Sequence, residues 1–175
     1  FRRVLFRSDD HQSIDRRHRE QFNHAQLGYH FVIGNGSKQL GDGQAFVSAR
    51  WDGQLDGAHL VSGVTAPNSG EAVTNANSIA ICLVGNGDNR GFSPSQITRL
   101  VAVVNRLQKD FGISDNQVWA ASDLPGMSNS GPGRLFPFAE FEQRMISTRA
   151  AVRCAHTCTP NHFKALLDDF RADAS

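Results

Sequence analysis

The sequence predicts an α/β domain, and three stretches carry that prediction. Leu27–Gly36, LGYHFVIGNG, is a glycine-led run of strand formers that ends in an Asn-Gly turn signal. Ser78–Val84 is apolar on both faces, so we expect a central strand that is buried on both sides. Ser93–Phe111 has the pattern of a capped amphipathic helix. Strands that alternate with helices indicate a sheet covered by helices.

The polar segment Asp9–Phe22 precedes the first strand. Ile14, His18 and Phe22 follow one another at four-residue spacing, which predicts an amphipathic helix resting on the sheet. His11 and His18 are close to two helical turns apart, so they could share a face as a metal pair. Surface or half-buried histidines on a polar helix are the favoured interpretation.

The middle of the chain is expected to form a hairpin and loops. The residues from Asn35 through Ala49 are expected to turn and return as a second strand. Trp51–Gly57 and Thr65–Asn77 are rich in polar and turn-forming residues and are predicted to be loops. Cys82, inside the apolar run, is interpreted as an inert core thiol.

The helix Ser93–Phe111 has recognisable ends. Ser93 is a cap, Pro94 suits the first helical position, and Gln96 completes the spacing of a capping box. Gly112 is expected to end the helix. Its apolar stripe consists of Ile97, Leu100, Val101, Val104 and Leu107.

Beyond this helix we predict a short strand at Gln117–Trp119, a loop over Ser122–Gly133 and a helix over Phe136–Ala151. Asn161–Ala172 is predicted to be a last helix. Its apolar side consists of Phe163, Leu166, Leu167 and Phe170.

Composition narrows the function classes. A chain of 175 residues with 39% hydrophobic residues is expected to form one domain. A net charge of +1 without a basic block argues against a nucleic-acid partner, and no run reaches the ~20 apolar residues of a membrane helix. We expect a monomer.

Both ends of the chain differ from the predicted domain, which covers residues 9–148. Phe1–Ser8 lacks periodicity and is interpreted as a non-native or truncated start. If a native signal peptide was lost there, the protein belongs to the cell envelope or the extracellular space; otherwise it is cytoplasmic. Residues 149–175 are predicted to be a helical tail. Cys154, Cys158 and His162 in it could bind zinc, although ordinary thiols or one disulfide are favoured.

Several motifs together resemble a known family. IDRRHRE, GYHFVIGNG, GDGQ, RWDGQLDGAH, NSIAICLVGN, DLPG and GPGRLFP occur in this order between about Ser8 and Phe141. The series resembles the zinc-dependent N-acetylmuramoyl-L-alanine amidases and peptidoglycan recognition proteins, the group that includes the phage lysozyme-type amidases. The resemblance implies a central mixed β-sheet flanked by helices, and a groove with a zinc at one edge that binds the peptidoglycan stem peptide.

The resemblance also implies roles for individual residues. Tyr29 matches a family tyrosine that polarises the scissile amide or helps to hold the water, and His30 matches its structural neighbour. His59 matches a histidine near the groove. Asn129 matches a position near the oxyanion that is often threonine or lysine. Tyr29, His59 and Asn129 are therefore the expected substrate-binding residues, with Tyr29 as the retained catalytic position.

The zinc positions implied by the resemblance are degenerate. Ala121 stands at the histidine of a G-H-R-D-like segment, and Gly131 stands at the cysteine or aspartate before P-G. The first-strand histidine, which would come from Arg2–Ser8, is absent as well. A catalytic zinc needs about three protein ligands, and the single acid Asp123 does not meet that need.

Three functions follow as hypotheses. The favoured one is muropeptide recognition by an amidase-like domain that has lost its catalytic zinc, because Tyr29 alone cannot generate hydroxide. The second is an active zinc amidase that cleaves between N-acetylmuramic acid and L-alanine, with zinc as cofactor. The third is a nonfunctional structural remnant.

Overall fold

A mixed sheet between helices forms the centre of the molecule. The structure, a computed structural model, describes residues 9–127 and 131–154. Its helices and strands are α1 (His11–Phe22), β1 (Phe31–Ile33), β2 (Ala45–Val47), α2 (Ala49–Asp52), β3 (Ile81–Leu83), α3 (Pro94–Phe111) and α4 (Phe138–Cys154). Short 3₁₀ turns at Asp115–Gln117 and Ala121–Asp123 lie between α3 and α4. The predicted α/β class and the mixed sheet are confirmed.

The strand order is β2-β1-β3. β1 pairs antiparallel with β2, as the predicted hairpin requires, although a long connection joins them instead of a two-residue turn. β1 also pairs parallel with β3. The prediction that Ser78–Val84 forms the central strand is therefore wrong for the described residues, in which β1 is central and β3 lies at an edge.

Both faces of the sheet are covered, as the apolar strands predict. On one face, Val32 and Cys82 pack with Ile14 of α1. On the other face, Ile33 packs with the apolar stripe of α3, and Met145 of α4 joins the same cluster. Cys82 is buried, which agrees with its interpretation as a core thiol. The protein thus has a helix layer on each side of the sheet.

A local hydrogen bond and the burial of an indole ring explain two differences from the predicted elements. Gln117–Trp119 is not a strand, because the side chain of Gln117 accepts the Ser114 N–H at 3.0 Å and its backbone closes a 3₁₀ turn. Trp51, predicted to begin a loop, lies in α2, where it is 5% exposed and its ring centroid is 4.7 Å from that of Phe31. Burial of the Trp51 indole therefore favours a short helix where the polar sequence predicts a loop.

The predicted C-terminal helix is confirmed as α4, shifted to Phe138–Cys154. The predicted helix Asn161–Ala172 and the Cys154, Cys158 and His162 side chains lie outside what the structure describes. Within the described residues, no helix has the length and apolar character needed to cross a bilayer.

The ends of α3 match the prediction closely. Ser93 Oγ accepts the Gln96 N–H at 3.1 Å, and the Gln96 side chain accepts the Ser93 N–H at 3.2 Å. Gly112 closes the helix in the left-handed conformation, with φ of 66°. The amide of buried Gln96 also donates to Val84 O at 2.9 Å, which ties the start of α3 to the end of β3.

Ser93→Ala is expected to lower the free energy of unfolding by about 1 kcal/mol, because it removes the helix cap. It also removes the hydrogen bond from Ser93 Oγ to the carboxylate of Asp42. Urea titration followed by circular dichroism measures the change. Ser93→Thr, which keeps the hydroxyl, is the control and should lose less. Equal losses in the two variants would contradict a capping role.

Candidate functional site

Tyr29 lies just before β1, and its backbone is held from two directions. The N–H of Gly28 donates to His18 Nδ1 at 2.8 Å. The carbonyl of Gly28 accepts the N–H of Ala58 at 2.9 Å. The half-buried Tyr29 ring packs against the cluster that contains Ile14, and its centroid is 5.4 Å from that of His18. The tyrosine is therefore placed by α1 and by the loop that carries His59.

Arg50 on α2 ties the same loops together. Its Nε donates to Leu27 O at 2.5 Å, and its Nη1 donates to Asp56 O. A single guanidinium therefore holds the chain on both sides of the candidate site. The sequence does not predict this role, because its pattern does not distinguish a partly buried arginine on a short helix from an arginine at the surface.

His30 points away from Tyr29, as expected for neighbours on an extended backbone. Its ring lies 6.3 Å from that of Trp51 and 6.3 Å from that of His59. Nδ1 accepts the Ala80 N–H at 3.0 Å, so in the neutral ring Nε2 carries the proton and donates to Leu55 O at 3.1 Å. Both nitrogens are thus engaged with backbone, which suits a bracing residue and leaves neither for a metal.

Burial lowers the pKa of His30, and the nearby charge of Arg50 lowers it further, although the hydrogen bond to Leu55 opposes the change. The free energy of unfolding contributed by His30 is therefore fully present above the unfolded-state pKa of about 6.5 and is lost as pH falls below it. Protonation would also place a proton on Nδ1, against the Ala80 N–H.

We expect the free energy of unfolding to fall between about pH 7 and pH 5, and His30→Asn to make this fall shallower. The asparagine can still accept the Ala80 N–H but does not titrate. Denaturant titrations at several pH values provide the measurement. An unchanged pH slope in His30→Asn would show that the stability does not depend on His30 titration.

His59 is held by residues of the following loop. Asn75 Oδ1 accepts the backbone N–H groups of His59 and Leu60 at 2.9 and 3.0 Å, and Asn75 Nδ2 donates to Leu60 O at 3.1 Å. Ser78 Oγ lies 3.3 Å from His59 Nε2. The position of His59 therefore depends on Asn75, which lies in a stretch predicted only as a loop.

Ser78 and His59 are residue types that can act as a nucleophile and its general base. The hydroxyl of Ser78, however, donates its one proton to Thr74 O. Its oxygen is then an acceptor for the Nε2 proton of His59, opposite to the direction that activates a serine. The pair therefore fixes the histidine ring and does not generate a nucleophile.

Ala121 and Gly131 are brought side by side by backbone pairing. The N–H of Ser122, next to Ala121, donates to Gly131 O at 2.9 Å. The 3₁₀ turn that carries Ala121 is closed by the Asp123 N–H donating to Ala120 O at 3.0 Å. Two positions that the sequence resemblance assigns to one metal therefore do lie together, but neither side chain is a metal ligand.

Four of the residues singled out from the sequence are among the many that line one broad, open depression: Tyr29, His59, Ala121 and Gly131. Asn129, the other expected binding residue, lies outside the described residues. Asp123 lines the same surface, and its carboxylate accepts the backbone N–H of Ala120 at 3.3 Å. These positions therefore share one broad depression, whose lining also includes ionisable side chains such as His30, Arg50 and Asp56.

The described residues do not fit a zinc ion. Among the side chains that the structure describes, in residues 9–127 and 131–148, no group of three or more His, Cys, Asp or Glu is placed to hold a metal. His11 and His18 do not form the alternative pair, since His11 stacks on Phe46 at 4.0 Å while His18 bonds to Gly28. A catalytic zinc site needs about three such ligands and an open position.

Comparison with known proteins gives a consistent result. A family model for N-acetylmuramoyl-L-alanine amidases matches residues 6–134. The solved structure of the N-acetylmuramoyl-L-alanine amidase LysC from Clostridium intestinale is similar at 24% identity and TM-score 0.56, covering 82% of this chain and 80% of that chain. The endolysin amidase LysCS from the same organism is 24% identical at TM-score 0.56, covering 82% of this chain and 78% of that chain. A search of curated proteins found no match. At this identity the solved structures show a shared fold.

Proposed function

Because the chain belongs to the N-acetylmuramoyl-L-alanine amidase family, we propose that it is a peptidoglycan-binding domain that recognises muropeptides and has lost the catalytic zinc. The observation that carries the proposal is the backbone pairing of the Ala121 turn with Gly131, within the broad depression whose lining also includes Tyr29 and His59. In this proposal the groove positions are retained, while a methyl group and a hydrogen stand at the two positions that the family resemblance assigns to metal ligands.

The chemistry of amide hydrolysis supports a binding role. Cleavage at neutral pH needs an activated water, which a zinc supplies, or a nucleophile with a base beside it. The described side chains include no three-ligand metal site, and the hydroxyl of Ser78 donates to Thr74 O instead of to His59. What they offer is a phenol at the start of β1 and a fixed imidazole ring.

Tyr29 is the proposed centre of ligand recognition. A phenol can donate one hydrogen bond and accept others, so it suits the amide that joins a sugar lactyl group to a peptide. Hydrogen bonds from the His18 side chain and the Ala58 backbone hold Gly28, the residue before Tyr29, in advance, which reduces the ordering cost of binding. In the proposal, Tyr29 contacts the amide, and His59 and Asn129 contact the flanking ligand groups.

Three measurements on the purified chain test the proposal. Isothermal titration with a soluble muropeptide should show binding that a chelator does not change. Elemental analysis should find no stoichiometric zinc, and peptidoglycan incubated with the protein and added zinc should release no stem peptide. Chelator-sensitive release of stem peptide would establish the active amidase instead. Absence of muropeptide binding would contradict recognition and favour a structural remnant.

The Tyr29→Phe variant tests whether the muropeptide binds at Tyr29 in the groove. We expect it to weaken muropeptide binding about threefold to tenfold, as for the loss of one hydrogen bond. Lys109→Ala, an exposed change in the last turn of α3, is the control and should bind like the parent. Equal affinities of the parent and Tyr29→Phe would place the ligand elsewhere.

The degenerate metal positions can be tested directly by a double substitution. Ala121→His together with Gly131→Cys is expected to bind cobalt with a thiolate charge-transfer band, because the two positions lie together. Neither single variant should show that band with equal strength. A double variant without any such band would argue against the assignment of these positions to one metal.

A further inference from the structure

His18 is a buried residue that lies next to Tyr29, the proposed ligand-binding residue. It lies on the inner face of α1 and is 2% exposed. Its Nδ1 accepts the N–H of Gly28, the residue directly before Tyr29, and its ring is 5.4 Å from the Tyr29 ring. One side chain therefore contacts both the backbone that leads into the tyrosine and the tyrosine itself.

Gly28 is held in a space that admits no side chain. A Cβ there would be 2.5 Å from Ala58 O and 3.2 Å from His18 Nδ1. Glycine has the most conformational freedom of all residues, so its backbone needs outside contacts to stay in one conformation. His18 supplies such a contact at the N–H of Gly28, and Ala58 supplies one at its carbonyl.

The hydrogen-bond chemistry shows why an imidazole suits this place. The backbone of Gly28 is a donor, so His18 must present a lone pair at Nδ1, and the neutral ring then carries its proton on Nε2. Asparagine can present an oxygen at about the same distance from its Cα. Alanine would leave the buried N–H without this acceptor, and glutamine would carry its oxygen too far.

We propose that His18 is a positioning residue for Tyr29: it fixes the peptide at Gly28 and supports the phenol ring, so that the hydroxyl is presented to the groove. This inference rests on the proposed function in one respect, namely that Tyr29 contacts the muropeptide. His18 itself does not touch the ligand in this arrangement.

The position of Tyr29 can be read without any ligand, because it is the single tyrosine of the chain. Protein labelled with ¹³C-tyrosine therefore gives one set of ring signals by NMR. We expect His18→Ala and His18→Gln to shift or broaden these signals, and His18→Asn to restore signals close to those of the parent. Val101→Ala, a buried change in α3 on the other face of the sheet, is the control for general destabilisation.

Unchanged tyrosine signals in His18→Gln, or equal changes in His18→Gln and Val101→Ala, would overturn the positioning role. If His18→Ala does not fold, the comparison of His18→Asn with His18→Gln decides the question. Both variants keep a polar amide, but glutamine holds its amide oxygen farther from the backbone than asparagine does.

A double-mutant cycle then tests whether His18 affects muropeptide binding through Tyr29. We expect His18→Gln to weaken muropeptide binding about threefold or more in the parent, and to have no further effect in the Tyr29→Phe background. Additive losses would overturn the coupling of His18 to Tyr29. If the parent binds no muropeptide, the proposed function fails, whereas the NMR comparison still decides whether His18 positions Tyr29.

Discussion

Ile97→Ala is expected to lower the free energy of unfolding by about 2 to 5 kcal/mol, because it leaves a cavity in a closely packed core. Ile97 is 1% exposed. It packs with Ile33 of the central strand and with Met145 of α4. The cavity would therefore open where the sheet, α3 and α4 meet.

Urea titration followed by circular dichroism measures this loss. Lys109→Ala in the same helix is the matched control and should change stability by no more than about 0.5 kcal/mol, since the residue is exposed. A loss at Ile97 as small as that of the control would mean that α3 does not pack on the sheet as described.

Gly28→Ala is expected to cost about 1 to 3 kcal/mol of stability and to weaken muropeptide binding, because the added methyl overlaps backbone. The methyl would lie 2.5 Å from Ala58 O, and main-chain atoms cannot move aside as a flexible side chain can. Either the Gly28 bond to His18 or the Gly28 bond to Ala58 must lengthen. Tyr29, the next residue, moves with them.

Gly91→Ala is the matched control for the general effect of adding a methyl to a glycine. The closest atom to a Cβ at Gly91 is Leu135 O at 3.6 Å, an ordinary contact. Thermal melts and muropeptide titrations of the two variants separate local overlap from loss of backbone freedom. Equal behaviour of Gly28→Ala and Gly91→Ala would contradict the close approach at Gly28.

Side-chain and backbone contacts hold the residues around the candidate site in place. Tyr29 is placed through His18, and His59 is placed through Asn75. Arg50 and His30 join the surrounding loops through main-chain oxygen atoms. These bonds use side chains and backbone of the described chain, so the proposed loss of zinc ligands would leave them intact.

Elements with local determinants are the ones that the sequence predicts well. The start and end of α3 follow from Ser93, Gln96 and Gly112, which act within one helical turn of each end. The antiparallel pairing of β1 and β2 follows from two neighbouring strand patterns. The strand predicted for Gln117–Trp119 does not form, because the side chain of Gln117 stabilises a local turn that competes with strand pairing.

The position of β3 shows a different reason for error. Its residues are covered on both faces, as the apolar run indicates, with Cys82 toward α1 and Leu83 toward the α3 side. Burial of both faces of β3 does not determine which strands lie beside it, because backbone hydrogen bonding along its edges determines those neighbours. The sequence pattern therefore predicts burial correctly and strand order wrongly.

The sequence by itself determined the α/β class, the opposite directions of Tyr29 and His30, and the presence of alanine and glycine at positions 121 and 131. These follow from strand periodicity and residue identity. Only the tertiary structure decided that the two positions lie together, that Asn75 holds His59, and that His18 holds the peptide before Tyr29. Such contacts join segments across irregular loops, where no periodic pattern records which donor will meet which acceptor.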